Sequence, residues 1–128
     1  MKFSHVALSV MDIETSVTFY QGVFGLSVRA EATSRKLETR FVQLQDEHGV
    51  FVELFQHERP HKYAENSMDF RRGGIKHISF EVQNLEEAMR LVIARGGSIL
   101  REIRPGKTVK RNVFVSDPDG IAIELVEL

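Results

Sequence analysis

The chain of 128 residues contains no cysteine. That excludes a disulfide scaffold, a thiolate-ligated zinc or iron–sulfur site, and a cysteine nucleophile. An excess of charge of either sign is also missing. The count is 17 Lys and Arg against 18 Asp and Glu, a formal net charge of −1, so no broad basic surface is available and no nucleic-acid partner is expected. No run of 18 apolar residues occurs, so no membrane-spanning helix is expected. The first residues, MKFSHVALSV, hold one Lys, a His and two Ser with acidic residues following, which does not read as a signal peptide. The expectation is a soluble, cytoplasmic protein of one compact domain.

What is present is a repeat. SHVALSVMDIE from Ser4 lies over KHISFEVQNLE from Lys76, with His5 on His77, Val10 on Val82 and Ile13 on Leu85, each 72 residues apart. Gly25 falls on Gly97 in the same register. GVFVEL from Gly49 then lies over GIAIEL from Gly120, placing Glu53 on Glu124, 71 residues apart. Two copies of one module, residues 3–57 and 75–128, account for these matches. The segment 58–74 between them is polar, contains Pro60 and ends in Gly73-Gly74, which reads as a linker with one helical turn.

Each module has the same pattern. Phe3 to Val10 alternates as a strand does, and Ile13, Val17, Tyr20 and Phe24 recur at helical spacing, with Gly25 as a C-terminal cap. Leu26–Glu31, Thr39–Leu44 and Val50–Phe55 read as three further strands. In the second copy the strand is Ile75–Val82. A helix then carries Leu85, Ala88, Met89 and Val92 behind an Asn84 N-cap. Ser98–Ile103, Val109–Val115 and Ile121–Val126 complete it. The tight turn Asp117–Gly120 has Glu47-His48-Gly49 in the matching place. The fold class is therefore α+β, βαβββ twice, in one domain over residues 1–128.

Strand alternation places Val6, Leu8 and Val10 on one face and His5, Ala7 and Ser9 on the other. In the repeat, Ile78, Phe80 and Val82 oppose His77 and Ser79. Glu53 and Glu124 sit in mid-strand among large apolar residues, where a carboxylate is costly unless it is paired or bound to a cation. Two equivalent His and two equivalent Glu call for one explanation. A divalent metal ligated by His5, Glu53, His77 and Glu124 provides it, because the two carboxylates cancel the ion's charge and the imidazoles complete a mixed N/O set. His48, His57 and His61 fall in turn or linker sequence and read as solvated. Phe19, Tyr20 and Phe24 read as core. Arg101, Arg104, Lys107, Lys110 and Arg111 surround a loop that is either a solvated charged loop or a steering site for an anionic substrate, with Lys110 and Arg111 its candidate contacts.

The His near the first strand, FYQGVFGL at Phe19 to Leu26, GIKHISFEV and DPDGIAIEL together resemble the vicinal oxygen chelate superfamily, over almost the whole chain. The resemblance implies two βαβββ modules whose sheets curl into a cup around the metal, and a homodimer. It implies a lyase or isomerase of the glyoxalase I type, acting on a small molecule with vicinal oxygens through a metal-stabilised enediolate. In that scheme Glu124 is the general base, Glu53 is the second candidate, and the metal is Ni, Co or Zn, with Mn or Fe also compatible. Glu53 separates the chain from the ring-cleaving dioxygenases and fosfomycin-resistance enzymes of the superfamily, which use two His and one Glu. A methylmalonyl-CoA epimerase-like isomerase, an iron-dependent ring-cleaving dioxygenase and a bleomycin-resistance-type binding protein are the alternatives. After Glu53 the chain reads LFQHERP, where glyoxalase I often has an Asn-Trp-Gly-like stretch that helps hold glutathione, so a different thiol or substrate stays open.

Overall fold

The computed structural model describes residues 1–62 and 68–128. Residues 63–67 of the linker, within which one helical turn is expected, lie outside these described residues. The chain divides into two compact units, 1–62 and 63–128, each of which contains one strand–helix–three-strand module. Among the described residues no helix is long and apolar enough to cross a membrane.

In the first unit the order is β1 (His5–Ser9), α1 (Ile13–Phe24), β2 (Ser27–Ser34), β3 (Thr39–Gln45) and β4 (Phe51–His57). The sheet runs β1-β4-β3-β2, with β1 parallel to β4 and the other pairs antiparallel. Register makes the alternation physical. Val6 lies opposite Val52 and Leu8 opposite Leu54, and Val42 and Leu44 face the same two β4 residues from the other side. These rows form the apolar face on which α1 packs. Val42, Leu44, Leu54, Phe19 and Tyr20 are fully buried there. The Asp12 carboxylate caps α1 by accepting the Thr15 N–H at 3.2 Å. Gly25, at φ 67°, ends it in the left-handed conformation.

The second unit repeats this with β5 (Ile78–Glu81), α2 (Leu85–Ala94), β6 (Ser98–Pro105), β7 (Arg111–Ser116) and β8 (Ala122–Glu127). Its sheet order is β5-β8-β7-β6, with β5 parallel to β8. Asn84 caps α2 by accepting the Glu87 N–H at 2.8 Å. Leu54 and its equivalent Leu125 are both fully buried; withdrawing each from water contributes about 1.5–3 kcal/mol.

Two particulars differ from the sequence reading. The left-handed glycine after α2 is Gly96 (φ 91°), not Gly97. It stands 71 residues after Gly25, so the one-residue slip between the copies lies within the helix, where α2 is shorter than α1. His77, expected inside a strand from Ile75, stands just before β5, whose pairing with β8 begins at Ile78 opposite Ile123.

The units also share two tethering devices. A side chain near the end of the last strand accepts the first N–H of the helix: Gln56 Oε1 from Ile13 at 2.8 Å, and Glu127 Oε1 from Leu85 at 3.0 Å. The turn before the last strand is closed by an aspartate. Asp46 Oδ1 accepts from His48 and Val50, and Asp117 Oδ1 accepts from Asp119 and Ile121.

Candidate metal centre

In the first unit, Glu53 stands between its register partners Ala7 on β1 and Gln43 on β3. All three therefore share the face opposite α1. Gln43 Nε2 donates to Glu53 Oε2 at 2.7 Å, and Arg29 Nη1 donates to Gln43 Oε1 at 2.7 Å. His5, opposite Phe51, stacks on that ring with centroids 4.5 Å apart and planes 10° from parallel. Its Nδ1 lies 2.9 Å from Ser4 Oγ. A proton on Nδ1 donating to that hydroxyl oxygen leaves Nε2 with the bare lone pair a metal requires.

In the second unit, Glu124 stands between Ser79 on β5 and Phe114 on β7. Asn112 Nδ2 donates to its Oε1 at 2.7 Å. Oε2 lies 3.3 Å from His77 Nε2, and the His77 ring meets Phe114 edge-on at 5.2 Å. His77 Nδ1 is buried without a hydrogen-bond partner. Lys76 occupies the place that Ser4 holds in the first copy and donates instead to the Asp69 carbonyl, so the hydroxyl that serves His5 has no counterpart.

The donors fit a divalent ion. Each unit offers one imidazole and one carboxylate on one sheet face, and each carboxylate is fixed at one oxygen by a side-chain amide. Adjacent ligands on an ion held at about 2.1 Å lie roughly 3 Å apart, close to the 3.3 Å between His77 Nε2 and Glu124 Oε2. The two fixing amides were not evident from the sequence. Residues 41 and 43 hold Phe and Gln, while their counterparts 112 and 114 hold Asn and Phe, so amide and phenyl exchange places. Gln43 reaches its glutamate straight across the ladder and Asn112 reaches its glutamate diagonally. Among the described residues neither unit brings together more than these two donors, and no group of three or more His, Asp or Glu side chains is placed to hold a metal ion.

Arg111 has a different position from the one expected. It pairs directly with Glu127 across β7 and β8, in step with buried Val113 and Leu125 and on the face opposite Glu124. Its Nε and Nη2 donate to Glu127 at 2.9 and 2.7 Å, and its Nη1 and Nη2 donate to Glu86 at 2.8 and 3.2 Å. The hydrogen bonds from Arg111 hold the Glu127 carboxyl down at about 2 and lower that of Glu86 as well. Through these bonds Arg111 ties Glu86 of α2 to Glu127 of β8 on the helix side of the sheet. Lys110 is exposed in the loop before β7. Arg101 and Arg104 lie on the Glu124 face, paired across the ladder with Phe114 and Asn112, and the Arg101 guanidinium lies 5.3 Å from the Phe70 ring centroid and 5.9 Å from that of Phe114. His48 lies beside Glu47 in the turn before β4, and His57, read as turn or linker from the sequence, ends β4 on the Glu53 face beside Glu38, each pair at 3.4 Å.

Residues 2–125 match the family model described as the Glyoxalase/Bleomycin resistance protein/Dioxygenase superfamily. The chain is 31% identical over 128 residues to a lactoylglutathione lyase of Salmonella typhimurium, covering 99% of this chain and 93% of that protein. It is 30% identical over 129 residues to a putative lactoylglutathione lyase of Brassica oleracea var. gemmifera, where it covers 98% of itself but spans 44% of the plant protein's length. In three dimensions it is similar to a glyoxalase family protein from Bacillus cereus, with a TM-score of 0.84 at 16% identity, over 99% of this chain and 93% of that one.

Proposed function

This chain belongs to the Glyoxalase/Bleomycin resistance protein/Dioxygenase superfamily, and from that premise we propose that it is a metal-dependent lyase or isomerase of the lactoylglutathione lyase type. Its substrate is a small molecule carrying vicinal oxygens, and it works as a homodimer. Its metal ligands are His5, Glu53, His77 and Glu124, in a single domain built from both modules. The observation that carries the reading is the repeated His–Glu pair, in which each carboxylate is clamped by one amide and keeps its other oxygen for an ion. A binding protein without a metal has no use for two amide-oriented carboxylates on strand faces, where each must be desolvated.

The bound ion, Ni, Co or Zn by the family resemblance and Mn or Fe equally compatible with the donor set, would supply Lewis acidity that polarises a substrate carbonyl oxygen. The chain's own residues do the proton work. Glu124 takes the proton from the carbon beside the carbonyl and returns it to the neighbouring carbon. Its Oε1 stays on Asn112, so the carboxylate pivots about a fixed point while Oε2 reaches the substrate. Phe51 and Phe114, both buried on their sheets, cover the apolar side of each His.

The test is metal content of the purified chain, followed by reconstitution of the apoprotein with Ni, Co, Zn, Mn and Fe and an assay of hemithioacetal isomerisation. Tight binding of one ion per site, lost in His5→Ala and Glu124→Ala, together with isomerase activity that follows the ion, is the expected result. Failure of every ion to bind would leave a ligand-sequestering protein as the better account.

A further inference from the structure

We infer that Arg29, two strands away from the nearest proposed ligand, is the positioning residue for the first unit's half of the metal centre, orienting His5 and Glu53 together. The inference rests on the reading of those two residues as metal ligands. Arg29 occupies the bulge of β2: pairing with β3 shifts register between Val28 and Ala30. A bulge re-aims the side chain it carries, and this one crosses β3 to touch two groups. Its Nη1 donates to Gln43 Oε1 at 2.7 Å, and Gln43 passes the constraint on by donating to Glu53 Oε2 at 2.7 Å. The same guanidinium lies 4.5 Å from the centroid of Phe51, the ring on which His5 stacks, also at 4.5 Å. One planar cation therefore meets both ligand supports, Gln43 by hydrogen bond and Phe51 by cation–π contact. No carboxylate pairs with it among the described residues.

The second unit lacks this arrangement. At the corresponding bulge Arg101 is the paired residue following the bulged Leu100, and it meets Phe70 and Phe114 but no amide. Asn112 holds Glu124, and its register partner Arg104 makes no hydrogen bond to it among the described residues. The two carboxylates are thus differently braced. Glu53 is fixed through two hydrogen bonds in series, which polarise one another, and Glu124 through one. That difference suits Glu53 to remain a ligand throughout turnover and Glu124 to move.

The sign of the effect separates this role from a plain charge effect. A cation near a divalent ion repels it, so an arginine that acted only through its charge would weaken metal binding, and its removal would tighten it. A positioning arginine does the opposite. It also depends on a planar fork that lysine does not possess.

The experiment titrates the apoprotein with Co²⁺ alone, against a competing chelator, in the wild-type chain and in Arg29→Met, Arg29→Lys, Gln43→Leu and Asn112→Leu. The absorption of the bound Co²⁺ is recorded, and circular dichroism of each apoprotein checks its fold. Loss of an outer partner of a ligand typically costs ten- to a hundredfold in affinity. Arg29→Met and Arg29→Lys should therefore both bind at least tenfold more weakly than wild type, with an altered Co²⁺ spectrum, and Gln43→Leu should fall in the same direction. Should Arg29→Met not fold, Arg29→Lys and Gln43→Leu carry the test. Wild-type or tighter affinity in any folded Arg29 variant overturns the inference, as does a Gln43→Leu chain that binds like wild type. If the wild-type chain binds no Co²⁺ at all, the metal reading itself fails. If the wild type binds and the variants match it, only the role of Arg29 fails.

Discussion

Asp117→Ala offers a sharp test of the energetics, because the repeat supplies its own control. Asp117 is 2% exposed, and its Oδ1 accepts the N–H groups of Asp119 and Ile121, both at 2.9 Å. Asp46 does the same for His48 and Val50 at 2.9 and 3.0 Å. Both turns also close through backbone bonds from residue 120 to 117 and from 49 to 46. The geometry is thus shared, but residues 47–50 are exposed whereas 118 and 119 are half-buried. A hydrogen bond to a charged group contributes about 1.5–3 kcal/mol net, and a buried donor left without an acceptor incurs its full desolvation cost. Two bonds sharing one oxygen, each at the low end, give a loss of about 3 kcal/mol for Asp117→Ala. In the exposed turn water replaces the lost acceptor, and Asp46→Ala should cost about 1 kcal/mol. At roughly 4 °C per kcal/mol for a chain of this size, the melting temperature should fall about 12 °C in the first variant and about 4 °C in the second. Asp117→Asn keeps an acceptor oxygen and should lose less than half as much as Asp117→Ala. Thermal unfolding followed by far-ultraviolet circular dichroism reads all three. Equal losses at Asp46 and Asp117, or an Asn variant as damaged as the Ala variant, would refute the argument from burial.

Glu124→Gln removes the proposed base while preserving an oxygen donor. Turnover should drop at least a hundredfold, on the scale of lost general-base catalysis, with Co²⁺ still bound; retention of full activity would eliminate Glu124 from that role. Arg101→Met should raise KM for a negatively charged substrate and leave kcat within about threefold, and an unchanged KM would show that Arg101 does not meet the substrate. Acid unfolding should report on Glu127, whose carboxyl is held at about 2, below its ordinary 4.5, chiefly by the hydrogen bonds from Arg111. A depressed folded-state pKa gives stability that is complete above the unfolded value and lost as pH falls from about 4.5 through about 2. Glu127→Gln, which keeps an acceptor for Leu85 as Gln56 does for Ile13, should flatten that part of the pH–stability curve. An acid limb identical to the wild type's would assign the effect to other groups.

The repeat made most of the fold legible. A carboxylate recurring in register within an apolar strand, and a His recurring near the start of another, are visible in one dimension because strand alternation has a period of two. The caps at Gly25 and Asn84 were legible for a similar reason, since helix ends select residue types through local hydrogen bonds and backbone conformation. The supporting residues were not. Gln43 bonds Glu53 because β3 pairs with β4 in one register, and Asn112 finds Glu124 from a position that is not the repeat equivalent of 43. Register between β3 and β4, as between β7 and β8, is set by the turn that joins them and by the buried face, and leaves no trace in the composition of any single strand. The position of Arg111 was hidden for the same reason. A loop rich in Lys and Arg reads as one charged surface, yet the onset of β7 turns residue 111 toward the helix side, where Glu86 and Glu127 take up its donors.

The exchange of phenyl and amide between positions 41 and 43 and positions 112 and 114 shows how the two copies have come to differ without losing the pair they share. On the proposed metal reading, each copy must keep one amide within hydrogen-bond reach of its glutamate, because a carboxylate free to rotate would surrender the geometry an ion demands. Each must also keep one ring against its histidine. In the first copy Phe51, on the same strand as Glu53, supplies the ring, which frees position 43, directly across the ladder, for the amide. In the second copy the residue equivalent to Phe51 is Ala122, too small to touch His77. Phe114 takes over from the neighbouring strand, and the amide is displaced to the diagonal position, 112. The bulge arginines follow suit. Where the ring and the amide lie on different strands, as in the first copy, Arg29 can touch both; where both lie on β7, Arg101 meets the ring alone. The difference between Phe51 and Ala122 at the start of the last strand accompanies all the others. Ala122→Phe combined with Phe114→Gln should therefore rebuild the first copy's arrangement in the second unit with less loss of stability than the two single variants add up to. The size of that non-additivity, expected at about 0.5–3 kcal/mol for residues in contact through shared partners, measures the coupling directly. Strict additivity would mean that the two positions drifted independently.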